Sequence, residues 1–138
     1  MNYLFTAAGE GSRFIKGGIK PPKPLIRVFG NELLIWSMNS FRYKRSDKVF
    51  IVTLKSHKVK EKLELKINKL YPEISISWLE LDSILNGQLL TTIKAITFFN
   101  IHESLVVHNC DTLHLFDIDQ INYFLNEEIF GVISCLNT

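Results

Sequence analysis

Residues 7–25, AAGEGSRFIKGGIKPPKPL, follow a short apolar run with a loop of unusual composition. The loop holds four glycines, three prolines and four basic side chains. A plain connection between two elements needs a turn and little else. Glycine lets backbone N–H groups approach a ligand closely, and basic side chains attract negative charge. The stretch therefore predicts a loop that holds an anionic group, and the simpler alternative is a flexible connection between a strand and a helix.

Strands and helices alternate along the rest of the chain. Apolar runs predict strands at 2–8, 48–54, 73–81, 103–110 and 129–136. Helical spacing of apolar residues predicts helices within 31–44, 56–71 and 86–100, and Asp117 is a plausible N-cap for a short helix at 117–126. This alternation predicts a Rossmann-like three-layer α/β sandwich with a mainly parallel sheet. Ligands bind such sheets at the carboxyl ends of the strands, where the glycine loop and Asp111 both fall.

The helical spacing also predicts which side chains face the core. The expected inward positions are Leu34, Ile35, Met38, Phe41, Val59, Leu63, Ile67, Leu70, Leu89, Ile93, Ile96 and Phe99. Both tryptophans, Trp36 and Trp78, are expected in the core. The lysines between residues 55 and 69 alternate with glutamates, which indicates a solvated helix face and argues against a nucleic-acid patch.

Length and composition narrow the function classes. The 138 residues correspond to about one domain, and 46% hydrophobic residues suffice for a substantial core. A formal net charge of +2 is too small to indicate a nucleic-acid partner. The N-terminus lacks the pattern of a signal peptide, and the chain has no apolar run long enough for a bilayer. Cys110 and Cys135 lie in apolar runs and are expected to be reduced and buried, so we expect a cytoplasmic protein without a membrane partner.

Two familiar glycine-rich loops do not match residues 7–25. A P-loop requires G-x-x-x-x-G-K-S/T, but counting from Gly11 places Lys16 at the second glycine position. A dinucleotide fingerprint requires G-x-G-x-x-G, and Phe14 occupies its third glycine position. We also expect the loop to continue through its prolines without a helix.

Four segments in the same order resemble the nucleotidylyltransferases. Residues 7–25 are similar to the family's G-x-G-T/S-R…P-K-P-L signature, and residues 30–41 to its G-x-P-L/M-I/L segment. Residues 86–96, NGQLLTTIKAI, are similar to its G-Q-A-x-S-I/V turn, and residues 105–112, LVVHNCDT, to the strand that ends in a metal-binding N-G-D. The resemblance covers nearly the whole chain. It implies a nucleotide-diphospho-sugar transferase type of fold.

The resemblance also implies a role for individual residues. Arg13 and Lys23 would be catalytic, neutralising charge on the transferring α-phosphate and on the leaving pyrophosphate. Asp111 would bind the cofactor Mg²⁺, which prefers carboxylate oxygens and bridges substrate phosphates. The implied nucleotide-binding residues are Ala8, Gly9, Gly11, Ser12, Gly87 and Gln88. Gln88 has a simpler alternative as a first-turn helix residue bonded to backbone.

Some features depart from the family pattern. Leu89 replaces a small alanine, and Cys110 replaces the glycine before the metal-binding aspartate. Family members are roughly twice as long, so residues 1–138 are expected to be the N-terminal, nucleotide-binding part of the domain. The acceptor-binding part and a second metal-binding aspartate would follow Thr138, and the chain alone is expected to be inactive. His108, Asp111 and His114 recur at a spacing of three, but on a strand and loop this spacing does not converge on a zinc ion.

The implied reaction is Mg²⁺-dependent transfer of a nucleotidyl group from a nucleoside triphosphate to a phosphorylated acceptor, with release of pyrophosphate. The acceptor would be a sugar phosphate or a small phosphate such as phosphocholine, and the product would serve capsule, polysaccharide or lipid-headgroup synthesis. MobA-like enzymes, which act on molybdopterin, share the loop. The alternative from another class is a non-catalytic nucleotide-binding or regulatory module. The sequence leaves open the base, the acceptor and whether the chain forms a homo-oligomer.

Overall fold

The computed structural model describes residues 1–114. The predicted helix at 117–126, the predicted strand at 129–136 and Cys135 lie outside this range. The described strands are β1 (Asn2–Ala7), β2 (Arg27–Val28), β3 (Asn31–Glu32), β4 (Lys48–Leu54), β5 (Ser75–Leu81) and β6 (Leu105–Asn109). The described helices are α1 (Ser12–Lys16), α2 (Leu33–Met38), α3 (Val59–Leu70) and α4 (Gln88–Phe99), with 3₁₀ turns at Lys23–Leu25 and Lys55–His57. None of the helices in this range is long and apolar enough to cross a membrane.

Four of the strands form one parallel sheet in the order β5-β4-β1-β6. Asn2 of β1 pairs with Lys48 of β4 on one side and with Leu105 of β6 on the other. All four strands run in the same direction, so their carboxyl ends lie along one edge of the sheet. The short strands β2 and β3 form a separate antiparallel hairpin that the sequence did not predict.

Hydrophobic cores cover both faces of the parallel sheet. On one face Tyr3 and Phe5 of β1 pack with the buried side chains of α2 and α3. On the other face Leu4 belongs to a second cluster that includes Ala95 of α4 and partly buried Phe99. Successive residues of a strand point to opposite faces, so a strand covered on both sides needs an unbroken apolar run. This arrangement confirms the predicted three-layer α/β class.

The helices near the glycine loop differ from the prediction. Residues 12–16 form a helix of five residues where an extended loop was expected. Helix α2 is shorter than the predicted span and ends at Met38, because the N–H groups of Ser40 and Phe41 bond three residues back to Ser37 and Met38. Such bonds tighten the end of a helix into a 3₁₀ turn.

The predicted inward face of α4 was wrong at its first turns. Leu89 is 70% exposed and Ile93 is 49% exposed, whereas Thr91 and Ala95 are buried. The helix is apolar around most of its circumference, so the spacing alone was consistent with more than one face. Small side chains at Thr91 and Ala95 let α4 lie close to the sheet, which explains why this face is the buried one.

Three other expected core positions are also less buried than predicted. Leu70, in the last turn of α3, is exposed. Trp36 and Trp78 are half-buried; Trp36 donates a hydrogen bond from Nε1 to the Val28 carbonyl at 2.7 Å, and Trp78 packs at the border of the first core.

We expect Ala95→Leu to lower the free energy of unfolding by about 1–3 kcal/mol, because a fully buried position against the sheet has no room for three more carbons. Leu89→Ala, on the exposed face of the same helix, should change it by less than about 0.5 kcal/mol. Urea denaturation followed by circular dichroism measures both. Equal losses in the two variants would contradict this placement of α4.

Candidate active site

A cavity of about 300 Å³ lies at the carboxyl edge of the sheet. The segments that follow β1, β5 and β6 surround it, together with the 3₁₀ turn at Lys23–Leu25. The family resemblance implied nine site residues, and six of them line this cavity. They are Ala8, Gly9, Lys23, Gly87, Gln88 and Asp111. Residues far apart in the sequence therefore meet at the edge where parallel sheets bind ligands.

The other three implied residues, Gly11, Ser12 and Arg13, do not line the cavity. Ser12 and Arg13 begin α1, and both side chains are exposed. Gly11 precedes α1 with φ +69°, a left-handed conformation that favours glycine. A Cβ on Gly11 would lie 3.4 Å from the Cβ of Lys23, which is an ordinary van der Waals contact, so the backbone conformation and not a lack of space favours glycine here. The implied role of Arg13 therefore stays a prediction.

Gly9 is the loop glycine that borders the cavity. A Cβ added there would meet no atom within 4 Å, so the α-carbon faces open space. Its backbone is accessible to a ligand from this side. Gly87, on the opposite wall, has φ +90° and also faces open space. The two glycines leave the cavity clear of side chains at two of its walls.

Lys23 is held on a stiff backbone segment. Pro22 and Pro24 fix φ on both sides of it, Pro24 is buried, and the Leu25 N–H donates to the Pro22 carbonyl at 2.8 Å. The Lys23 ammonium forms an ion pair with Asp111, with Nζ 2.6 Å from Oδ2. It also lies 5.9 Å from the centre of the Phe14 ring. Among the residues that line the cavity, Lys23 and Asp111 carry the formal charges.

Cys110 lies between β6 and Asp111 and also lines the cavity. Its side chain is free and buried, as predicted. Burial raises the pKa of the thiol to about 12, and the nearby Lys23 ammonium offsets part of that effect. The thiol is therefore protonated at neutral pH, which makes it a poor nucleophile and a poor metal ligand.

The donor groups of the cavity fit a shared Mg²⁺ ion. Mg²⁺ usually binds through one or two carboxylates and completes its octahedron with substrate phosphates and water. The cavity is lined by Asp111, which supplies one carboxylate, and by Asn109. Residues 1–114 contain no group of three or more His, Cys, Asp or Glu side chains placed to hold a metal. The described residues thus fit an ion that a bound phosphate helps to hold, and they do not form a protein-only cage.

Gln88, at the first position of α4, reaches across the cavity to β1. Its side-chain amide donates to the Thr6 hydroxyl at 3.0 Å, so its observed partner is a side chain and not backbone. The structure adds lining residues that sequence reasoning missed, namely Thr6, Pro24, Ile84, Leu85, Thr91 and Asn109. Thr6 and Asn109 are paired neighbours on β1 and β6, and their place near the ends of predicted strands was the available signal.

A buried polar network lies behind the end of β6. His108 Nε2 is 2.9 Å from His114 Nδ1, and His108 Nδ1 is 2.9 Å from the hydroxyl of buried Ser37 in α2. Ser37 also donates to the Asn109 carbonyl, and the His114 N–H donates to the Ser40 hydroxyl at 2.9 Å. The two imidazoles bind each other, so their facing nitrogens do not converge with Asp111 on a zinc ion. The network ties α2 to the strand end that carries Asp111.

Comparison with solved structures gives matches to this fold. One is a nucleoside-diphosphate-sugar pyrophosphorylase from Vibrio cholerae RC9, with a TM-score of 0.72 and 26% identity over 88% of this chain and 53% of that chain. Another is a putative glucose-1-phosphate thymidylyltransferase from Bacillus anthracis, with a TM-score of 0.68 and 18% identity over 93% of this chain and 51% of that chain. No family model and no curated protein sequence matches.

These matches confirm the resemblance that the four sequence motifs indicated. The chain has the α/β fold of nucleotidylyltransferases. It spans about half the length of each of these two solved chains.

We expect the protein to lose stability as the pH falls below about 6.5. Burial lowers the pKa of His108 below its ordinary 6.5, and the neighbouring Asn109 carbonyl and Asp111 only partly oppose this. Burial also lowers the pKa of His57. At pH values between the lowered pKa and 6.5, the unfolded chain therefore binds more protons than the folded chain. The contribution of these histidines to the free energy of unfolding is fully present above pH 6.5 and is lost as the pH falls below it. Each histidine contributes a slope of at most about 1.4 kcal/mol per pH unit.

Urea denaturation between pH 5 and 7.5 measures this slope. His108→Gln and His57→Gln should each reduce it, and the exposed His102→Gln variant serves as the control. A slope that is the same in His108→Gln and in the unchanged protein would contradict the assignment to His108.

Proposed function

We propose that the chain binds a nucleoside triphosphate with Mg²⁺ in this cavity, as the nucleotide-binding part of an enzyme that transfers the nucleotidyl group to a phosphorylated acceptor. The observation that carries the proposal is the meeting of Lys23 and Asp111 in one cavity whose walls include Gly9 and Gly87. An accessible backbone, a fixed cation and a carboxylate are what a triphosphate with a divalent ion requires. On this view residues 1–138 are the nucleotide-binding part of the domain.

The proposed chemistry is an in-line displacement at the α-phosphorus. A phosphate oxygen of the acceptor forms the new bond, the bond between the α-phosphorus and its bridging oxygen breaks, and pyrophosphate leaves with that oxygen. Lys23 holds negative charge on the transferring and leaving phosphates, and the loop at Gly9 orients the nucleotide. Gln88, positioned by Thr6, contacts the base, and Asp111 is the residue that would hold Mg²⁺. When bound, Mg²⁺ supplies charge neutralisation between the phosphate oxygens.

We propose a sugar phosphate as the acceptor, because the Vibrio cholerae match is described as a nucleoside-diphosphate-sugar pyrophosphorylase. The product would then be an activated sugar for capsule or polysaccharide synthesis. The reaction would take place in the cytoplasm, where nucleoside triphosphates are made. The departure at Leu89 is one reason to consider a non-catalytic module. This reason is weakened, because Leu89 is exposed and does not line the cavity.

Nucleotide binding is the first test, because the described residues form that part of the site. Calorimetric titration of the full chain with each of the four common nucleoside triphosphates and Mg²⁺ should show binding of at least one. Lys23→Ala should weaken this binding about tenfold or more, and Asp111→Ala should remove its dependence on Mg²⁺. Lys20→Ala in the same loop and Asp82→Ala on the surface are matched charge controls.

Pyrophosphate release with a sugar phosphate then tests turnover. Where turnover is measurable, Lys23→Ala and Asp111→Ala should each lower kcat by roughly 10²–10³ with the circular dichroism spectrum unchanged. Failure of every triphosphate to bind at millimolar concentration would refute the proposed function. Because residues 1–138 alone are expected to be inactive, binding without turnover is the result expected both for an isolated nucleotide-binding part and for a non-catalytic module.

A further inference from the structure

Lys23 pairs with the carboxylate that would hold a divalent cation in the proposed function. Lys23 Nζ lies 2.6 Å from Asp111 Oδ2, and each side chain is 27% exposed. Both side chains line the same cavity, and they carry the formal charges among the residues that line it. The Asp111 carboxylate is therefore paired with a cation of the protein itself.

The root of the Lys23 side chain is fixed beside Asp111, so the ammonium stays within reach of this carboxylate. The rings of Pro22 and Pro24 fix the backbone on both sides of Lys23, and Gly11 of the glycine loop lies next to the root of the side chain. The Phe14 ring lies beside the ammonium. The pair is thus built into the fold, unlike an ion pair between two flexible surface chains, which has little preference for one geometry.

We propose that Lys23 is the built-in counter-ion of Asp111 and that it keeps divalent cations out of the cavity until a nucleotide is bound. A divalent ion on Asp111 would lie beside the ammonium, and two positive charges in a partly buried site repel. A triphosphate supplies enough negative oxygens to attract both cations at once, so the ammonium can move to phosphate as the ion takes the carboxylate.

Two consequences follow for binding. The cation alone binds weakly, and nucleotide and cation raise each other's affinity by the same factor, because such coupling is reciprocal. The second consequence rests on the proposed function, whereas the weak binding of the cation alone does not. The two claims can therefore fail separately.

The experiment uses Mn²⁺ alone as the probe and the full chain without nucleotide. The electron paramagnetic resonance signal of free Mn²⁺ gives the affinity. Lys23→Met should bind Mn²⁺ roughly tenfold more tightly than the unchanged protein, a factor within the usual range for coupled sites. Lys23→Arg keeps the positive charge and should stay within about threefold of the unchanged protein. Lys20→Met removes a charge from the same loop outside the cavity and should have no effect.

Asp111 provides the second half of the test. The double variant Lys23→Met with Asp111→Asn should lose this increase in Mn²⁺ affinity, because the carboxylate that binds the ion is gone. Circular dichroism melting curves establish that each variant is folded, and Lys23→Gln replaces Lys23→Met if that protein does not fold. Equal Mn²⁺ affinity in Lys23→Met and the unchanged protein would overturn the proposal, as would a gain that survives in the double variant.

A nucleotide arm separates this proposal from the proposed function. With a non-hydrolysable triphosphate analogue, the unchanged protein should bind Mn²⁺ more tightly than without it, and this increase should shrink in Lys23→Met. If no triphosphate binds but Lys23→Met still gains Mn²⁺ affinity through Asp111, the counter-ion role stands and the proposed function fails. If triphosphates bind and Lys23→Met gains nothing, the counter-ion role fails while the proposed function stands.

Discussion

The candidate site depends on the parallel pairing of β1 with β4 on one side and β6 on the other. This pairing sets Thr6 opposite Asn109, so the loop that follows β1 and the turn that follows β6 leave the sheet side by side. Burial on both faces holds β1 in place, since Leu4 and Phe5 are fully buried in separate cores. A one-residue change of register would reverse these faces, so the packing of the core also fixes which residues border the cavity.

Packing also determines the electrostatics of the cavity. The prolines around Lys23 fix where its side chain starts, and Gly11 of the glycine loop lies next to that segment. Buried Cys110 lies immediately before Asp111, and its protonated thiol fills space there without adding charge. The network of Ser37, His108 and His114 supports the same strand end from the same face of the sheet as Cys110. The carboxylate is therefore positioned by the core as much as by its ion pair.

The sequence predicted those features that depend on local pattern. Unbroken apolar runs located β1 and β4, and strand ends followed by Gly9 or Asp111 indicated the edge that the ligand would use. Prediction from the sequence failed where one pattern of apolar residues is consistent with several packings. Helix α4 is apolar on more than one side, and its orientation follows from the small volumes of Thr91 and Ala95, which matter only once the sheet is present. The contacts of Thr6 with Gln88 and of Ser37 with His108 join residues 82 and 71 positions apart, and no spacing rule reveals them.

The residues of the glycine loop belong to one sequence motif, but they do not all border the cavity. Gly9 borders the cavity and Arg13 does not, although both belong to the same sequence motif. A motif identifies a loop, whereas the side of the loop that faces the cavity depends on how α1 begins, and here Gly11 makes that turn in a left-handed conformation. One positive and one negative charge balance each other inside the cavity, so neither a free cation nor a free phosphate finds an uncompensated partner there. A ligand that carries both signs of charge can satisfy Lys23 and Asp111 together, and a metal–triphosphate complex is such a ligand.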